Sequence, residues 1–501
     1  MLNLAVLLED SARAYPDRLA VIFNDMKMTY AQINGAANQV ANGLVSLGIQ
    51  PGDKVALGCP NLPYFPIVYY GILKAGAVVV PLNVLLKPRE IAYHLKDSDA
   101  KAYFCFEGTE QLPMGQMGYA GFQETDGCQH FFMMTANPAG PSPIEGTKTL
   151  GMLMHDKSPV FTTAPTRPDD TAVILYTSGT TGQAKGAELS HTNMLMNARL
   201  PDNMYPAAEQ DVHLIVLPLF HSFGQTVQMN SGFYTGSTLT LLPRFDPDAA
   251  LAIMERDNVT IFAGVPTMYW ALLNYPEADK FDLEKIAGNL RLCCSGGSAM
   301  PVEVMKAFEK RFKVKILEGY GLSETSPVAT FNRMDRISKP GSVGVPVWGV
   351  QVRVVDPEDN DVETGDLGEI VIRGHNVMKG YYKKPDATEE AFRGGWFHTG
   401  DIGRLDEDGY LYIVDRVKDM VIRGGLNVYP REVEEVLMTH PAISLAAVVG
   451  VPDDKYGEEI RPLLCPGLTP RCRQKKLSPG PKKIWRPTSI RGWLNCGIRC
   501  P

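Results

Sequence analysis

The chain has 501 residues, 45% hydrophobic and 21% charged, with a formal net charge of −7; one hydrophobic core rarely serves that length, so two or more domains are expected. Ten of its 49 Lys and Arg, and none of its 56 Asp and Glu, lie after residue 460; the remainder is therefore strongly acidic, which argues against nucleic acid as a partner. No apolar run approaches the roughly 20 residues of a membrane helix, and the N-terminal MLNLAVLLED lacks the basic start of a secretion signal, so at most peripheral membrane contact is expected.

Cys59, Cys105, Cys128, Cys293 and Cys294 sit in mostly apolar surroundings without ligand spacing, which fits a reducing cytoplasm. From Thr29, TYAQINGAANQVANGLVSLG places Tyr30, Ile33, Ala37, Val40 and Leu44 at helical spacing. It opens on a capping box, Thr29 with Gln32, and closes at Gly48. The apolar strands KVALGC and AVVVP follow, separated by a second helical stretch, and this alternation predicts an α/β architecture. Between about Glu107 and Asp169 the pattern dissolves into Gly, Met, Pro and Thr, and irregular surface structure is expected there. From Thr171 to about Tyr412 strand-like runs recur, of the continuous apolar kind that is buried on both faces of a parallel sheet. A domain boundary is predicted at Asp415, in the charged segment DRVKD, with a small α+β domain beginning after it.

The stretch TAVILYTSGTTGQAKGAELSH, from Thr171 to His191, carries the most chemistry. A buried strand runs into hydroxylated residues and glycines, then Lys185, then a helix starting at Ser190. Closely spaced N–H and O–H donors, with glycines that admit an anion, make a phosphate-binding loop. Ala184 and Gly186 stand where the common P-loop needs Gly and Ser or Thr, so it is not that motif. On the residues alone, a flexible Ser/Thr/Gly turn remains the alternative.

The whole run resembles the signature loop of the adenylate-forming superfamily, which includes acyl-CoA synthetases, luciferases and peptide-synthetase adenylation domains. LPLFHSFG (Leu217 to Gly224), SGGSAM (Ser295 to Met300), EGYGLSET (Glu318 to Thr325), GYYKKPDATEEAFRGGWFHTGD (Gly380 to Asp401) and DRVKDMVIRGGLNVYPREVE (Asp415 to Glu434) resemble its other motifs, in the family order. The closest character is that of a long-chain or medium-chain fatty acyl-CoA synthetase. The resemblance implies a large multi-sheet adenylation domain over residues 1–414 and a mobile C-terminal domain starting at 415–460. It implies ATP and Mg²⁺ as cofactors, and coenzyme A and a fatty or other hydrophobic acid as substrates. Aryl acids stay open as substrates, as do luciferase-like oxidation and a homodimeric assembly.

The same resemblance implies roles residue by residue. Thr177, Ser178, Gly179, Thr180, Thr181, Gly182 and Lys185 would follow the phosphates, with Thr177 and Glu324 holding the metal. Gly296, Gly297, Ser298, Gly319, Tyr320, Gly321 and Ser323 would form the adenine and α-phosphate site, with Tyr320 stacking on the base. Asp401 would accept the ribose hydroxyls and Arg416 would reach ribose or phosphate. Thr177, Lys185, His221 and Glu324 are the catalytic candidates, His221 as the gate between acyl pocket and nucleotide. Lys418 is the implied hinge, and Gly424 and Gly425 would pass beside the pantetheine arm.

From residue 461 the chain turns basic and rich in Pro, Cys and Trp, and disorder is expected there. This texture is what translation in a shifted frame would produce, and neither Lys482 nor Lys483 fits the family's usual C-terminal lysine context. The resemblance then implies a slowed adenylation step, or an adenylate-binding remnant as the rival to a working ligase. Cys465, Cys472, Cys496 and Cys500 lack paired metal-ligand knuckles, which argues against a zinc site.

Overall fold

A computed structural model describes residues 1–177, 183–205, 210–416, 419–423, 426–438, 443–453 and 456–466. The chain divides into two compact units, Met1–Lys418 and Asp419–Pro501. Asp415 and Arg416 lie on the strand Leu411–Arg416, whose Asp401↔Arg416 and Ile402↔Asp415 pairs bind it into the first unit. The boundary expected at Asp415 therefore moves to after Lys418.

Within the first unit the described strands build three sheets, of nine, eight and five strands. In the nine-stranded sheet, Leu292–Ser295 runs parallel to both Ile261–Gly264 and Ile316–Gly321. The strands Leu292–Ser295 and Ile261–Gly264 are buried along their whole length, as continuous apolar runs require. The helix Tyr30–Ser46 starts as its spacing predicts: Gln32 N–H donates to Thr29 Oγ1 (3.3 Å) and Thr29 N–H to Gln32 Oε1 (2.8 Å). Its Tyr30, Ile33, Ala37, Val40 and Leu44 are wholly buried. Gly71 lets the helix Tyr64–Lys74 come close, since a Cβ there would lie 2.6 Å from Val40 Cβ.

One sequence expectation is corrected. The stretch 107–169 holds a helix, Met114–Gln123, and a strand, His130–Met134, that pairs in parallel with Ala100–Phe106. Its glycines read as breakers, yet they serve packing: a Cβ on Gly118 would fall 2.6 Å from Cys105 Sγ. Lys185 begins a strand, Lys185–Ser190, antiparallel to Thr171–Thr177. The helix His191–Ala198 then starts at Ser190 as expected, capped by Ser190 and Asn193.

In the second unit, Ile443–Asp453 and Gly457–Pro466 form a long antiparallel pair from Asp453↔Gly457 to Ile443↔Pro466, joined by Leu426–Val428 and Val421–Arg423. The strand runs to Pro466, so the change of texture at 461 does not end the fold: Arg461 to Pro466 pair with Val449 to Ile443 of the neighbouring strand. Residues 467–501, with Cys472, Lys482, Lys483, Cys496 and Cys500, lie outside the described residues.

A modest stability effect follows from the helix Pro247–Asp257. Asp246 caps it by accepting from Ala249 N–H at 3.0 Å. Asp246→Ala should cost about 1 kcal/mol, read as a lower urea midpoint at unchanged slope; an unmoved midpoint would refute the cap's contribution.

Candidate active site

The Thr171–Thr177 strand ends on Thr177, which pairs with Lys185. Its hydroxyl donates to Glu324 Oε1 at 3.2 Å. Glu324 follows the strand Ile316–Gly321 in a short 3₁₀ turn, Ser323–Thr325, and is only 8% exposed. A third group joins them: Tyr381 O–H donates to the same Oε1 at 3.0 Å, and Lys185 Nζ lies 5.2 Å from the Tyr381 ring centre. Tyr381 arrives through the Tyr381↔Ala187 pair beside the lysine strand. Sequence reasoning quoted its motif without assigning the residue, because only strand pairing carries Tyr381 to Glu324. Just before Lys185, Tyr93 O–H donates to the Ala184 carbonyl at 2.7 Å. Ser178, Gly179, Thr180, Thr181 and Gly182 lie outside the described residues.

A carboxylate and a hydroxyl at bonding distance suit Mg²⁺, a hard cation that takes oxygen ligands and keeps several waters or phosphates. Among the described residues no group of three His, Cys, Asp or Glu is placed to hold a metal alone. A cation at Glu324 would therefore rely on a substrate's oxygens.

A second carboxylate defines the other half of the site. Asp401, 7% exposed, accepts from Tyr320 O–H at 2.5 Å and faces Arg416 Nε at 3.4 Å. Burial pushes the Asp401 carboxyl above its usual range, and the Tyr320 hydroxyl and Arg416 partly offset that. Burial also raises the Tyr320 phenol, which stays a donor. Such an oxygen pair can accept the two hydroxyls of a vicinal diol.

Gly296 and Gly297 end the neighbouring strand. A Cβ on Gly296 would lie 3.2 Å from both the Gly319 carbonyl and Phe223, while Gly297 adopts φ +79°; Ser298 beyond it is exposed. Gly319 and Gly321 were expected to admit a nucleotide. The structure gives them another partner: their missing Cβ atoms would strike the Phe331 ring at 2.5 Å and the Pro327 carbonyl oxygen at 1.8 Å. Ser323 opens the turn that carries Glu324.

His221 sits where LPLFHSFG enters a π-helix, Phe223–Asn230, a conformation found often at functional sites. The residue is exposed to solvent, and desolvation by the surrounding protein lowers its pKa from the usual histidine value. Phe223 lies against Gly296 and Val265 against Gly297, and both are partly buried, as are Val227, Met268 and Leu322. Cys293 and Cys294 are buried, and burial raises both thiols, which makes them inert packing groups. Lys418, Gly424 and Gly425 lie outside the described residues.

A family model described as AMP-binding enzyme matches residues 8–382, and one described as AMP-binding enzyme C-terminal domain matches residues 432–476. A long-chain-fatty-acid–CoA ligase of Bacillus subtilis is 38% identical over 92% of this chain and 84% of its own. A feruloyl-CoA synthase of an Amycolatopsis species is 35% identical over 91% and 87%. The ATP-bound crystal structure of MatB from Rhodopseudomonas palustris superposes with a TM-score of 0.82 at 33% identity, covering 93% of this chain and 88% of its own.

Proposed function

Because the chain belongs to the AMP-binding enzyme family and is an AMP-forming acid–CoA ligase, we propose that its acid is hydrophobic and that the two carboxylates divide the nucleotide between them. What supports the substrate reading is that two of the relatives are named for hydrophobic acids, a long-chain fatty acid and ferulate, together with the partly buried apolar side chains Phe223, Val227, Val265, Met268 and Leu322. Such side chains offer dispersion and water exclusion to an alkyl or aryl chain.

The acid's carboxylate attacks the α-phosphorus of ATP and displaces pyrophosphate, giving acyl-adenylate; the thiol of coenzyme A then takes the acyl group and AMP leaves. In the first step two anions meet, so the site must offset charge. Mg²⁺, when bound, supplies electrostatic stabilisation of the phosphates. Glu324 and Thr177 hold it, Tyr381 fixes the Glu324 carboxylate by its hydrogen bond, and Lys185 follows the outer phosphates as a point charge. Asp401 accepts the ribose hydroxyls, with Tyr320 and Arg416 orienting it. His221 stands between the acyl pocket and the nucleotide as a steric gate.

AMP formation that requires both a hydrophobic acid and coenzyme A is the direct test, with a C8–C16 fatty acid series and cinnamic-type acids compared against malonate. Turnover of malonate in preference to every hydrophobic acid would overturn the substrate reading.

The raised Asp401 pKa gives a pH prediction with a defined sign. Ribose hydroxyls donate to the ionised carboxylate, so AMP affinity should fall on acidification at a pH above the ordinary carboxylate range. For stability the sign is the reverse: a raised folded pKa favours the fold at low pH, and that contribution is lost as pH rises through it. Calorimetric titration with AMP between pH 4 and 8 reads the first effect; an affinity flat down to pH 4 would contradict it.

A further inference from the structure

We propose that Glu369 is a positioning residue for Asp401, a role that rests on the reading of Asp401 as the acceptor of the ribose hydroxyls. The argument starts from strand register. Gly368–Gly374 pairs with Trp396–Leu405 through Glu369↔Ile402 and then Val371↔His398, so Ile370 alone faces Thr399, Gly400 and Asp401. The extra residues bulge, and a bulge re-aims side chains at the cost of leaving backbone groups outside the ladder.

The three liberated groups are captured locally. Thr399 Oγ1 donates to the Ile370 carbonyl at 2.7 Å and accepts from Asp401 N–H at 3.0 Å. Gly400, in the left-handed region at φ +71°, donates its N–H to Glu369 Oε1 at 3.0 Å. A charge-assisted bond to a half-buried backbone donor is among the stronger kinds. The other oxygen, Oε2, faces His398 Nδ1 at 2.9 Å and Arg393 at 3.2 Å, which orients the carboxylate so that Oε1 points at the bulge. Asp401 is the next residue, already committed to Tyr320 and Arg416. Glu369 touches no reacting group; it fixes the backbone turn that aims the carboxylate.

Loss of that bond should loosen the aim of Asp401 and weaken the nucleotide without touching the acid site. Glu369→Ala is expected to raise the AMP Kd and the KM for ATP by roughly 10-fold, with the KM for the acid and kcat at saturating ATP near wild type. Glu369→Gln keeps an oxygen for Gly400 N–H and should restore most of the affinity. Glu369→Asp keeps the charge but withdraws it by one methylene, and should behave like the alanine variant; it stands in should Glu369→Ala fail to fold. Asp401→Ala is measured alongside. If Asp401→Ala loses AMP affinity while Glu369→Ala and Glu369→Asp bind AMP like wild type, the positioning role is overturned and the ribose reading survives. If Asp401→Ala itself binds AMP like wild type, the ribose reading falls first. Equal losses in acid KM and ATP KM would mark a general structural defect and also overturn the proposal.

Discussion

Glu324→Gln should lower the rate of acyl-adenylate formation by on the order of 100-fold while leaving thermal stability close to wild type. Glutamine retains an acceptor oxygen for Thr177 and Tyr381, whose hydroxyls lie 3.2 and 3.0 Å from Glu324 Oε1, so the local hydrogen bonds survive. What disappears is the negative charge that a hard divalent cation needs. Pyrophosphate release at varied Mg²⁺ separates the causes: the variant should need several-fold more Mg²⁺ for half its maximal rate. A wild-type Mg²⁺ dependence would reject Glu324 as the metal ligand. Tyr381→Phe is a milder companion, removing one donor to the same oxygen.

Gly321→Ala should destabilise the protein by more than about 3 kcal/mol and abolish adenylation together with the fold of the site. The new Cβ would lie 1.8 Å from the Pro327 carbonyl oxygen and 2.6 Å from its carbon. Those are backbone atoms, and Leu322 N–H also donates to that carbonyl at 3.2 Å, so no side chain can swing aside. Relief requires moving the Ser323–Thr325 turn, and with it Glu324. The contrast is Gly288→Ala, in the helix Leu283–Asn289, where nothing lies within 4 Å of the added Cβ. That change should stabilise by roughly 0.5–1 kcal/mol through helix propensity. Thermal melts of both variants, with pyrophosphate release at 25 °C, are decisive; an active Gly321→Ala protein with a wild-type melting temperature would remove the argument.

The candidate site was legible where its residues lie together in a motif. Thr177, Lys185, Glu324, Tyr320 and Asp401 could all be named from short runs with a chemical rationale or a family resemblance. Tyr381 and Glu369 escaped for one shared reason. Each acts through a partner distant in sequence, Tyr381 on Glu324 and Glu369 on Gly400, and that proximity is created by strand register. Gly319 and Gly321 were singled out for a nucleotide, and the structure adds a packing reason for each, Phe331 and Pro327. A glycine announces that something comes close, and only the packed chain says whether that is a ligand, Phe331 or Pro327.

Local pattern also failed in two places where tertiary packing overrode propensity. Met114–Gln123 is helical despite three glycines because those glycines let the helix settle against Cys105, Met133 and Ile91. The basic turn in composition at residue 461 likewise concealed a strand whose partner, Ile443–Asp453, precedes it.

The order of residues was enough to determine the α/β class, the capped Tyr30–Ser46 helix, the phosphate-loop motif and the family's chemistry, since each depends on interactions spanning few residues or on a short motif. The tertiary structure alone decided that Lys185–Ser190 pairs antiparallel with Thr171–Thr177, that Tyr381 meets Glu324, and that a three-residue bulge held by Glu369 aims Asp401. Those features depend on backbone hydrogen bonds between strands tens to hundreds of residues apart, and periodicity along a chain carries no record of which strand becomes its neighbour.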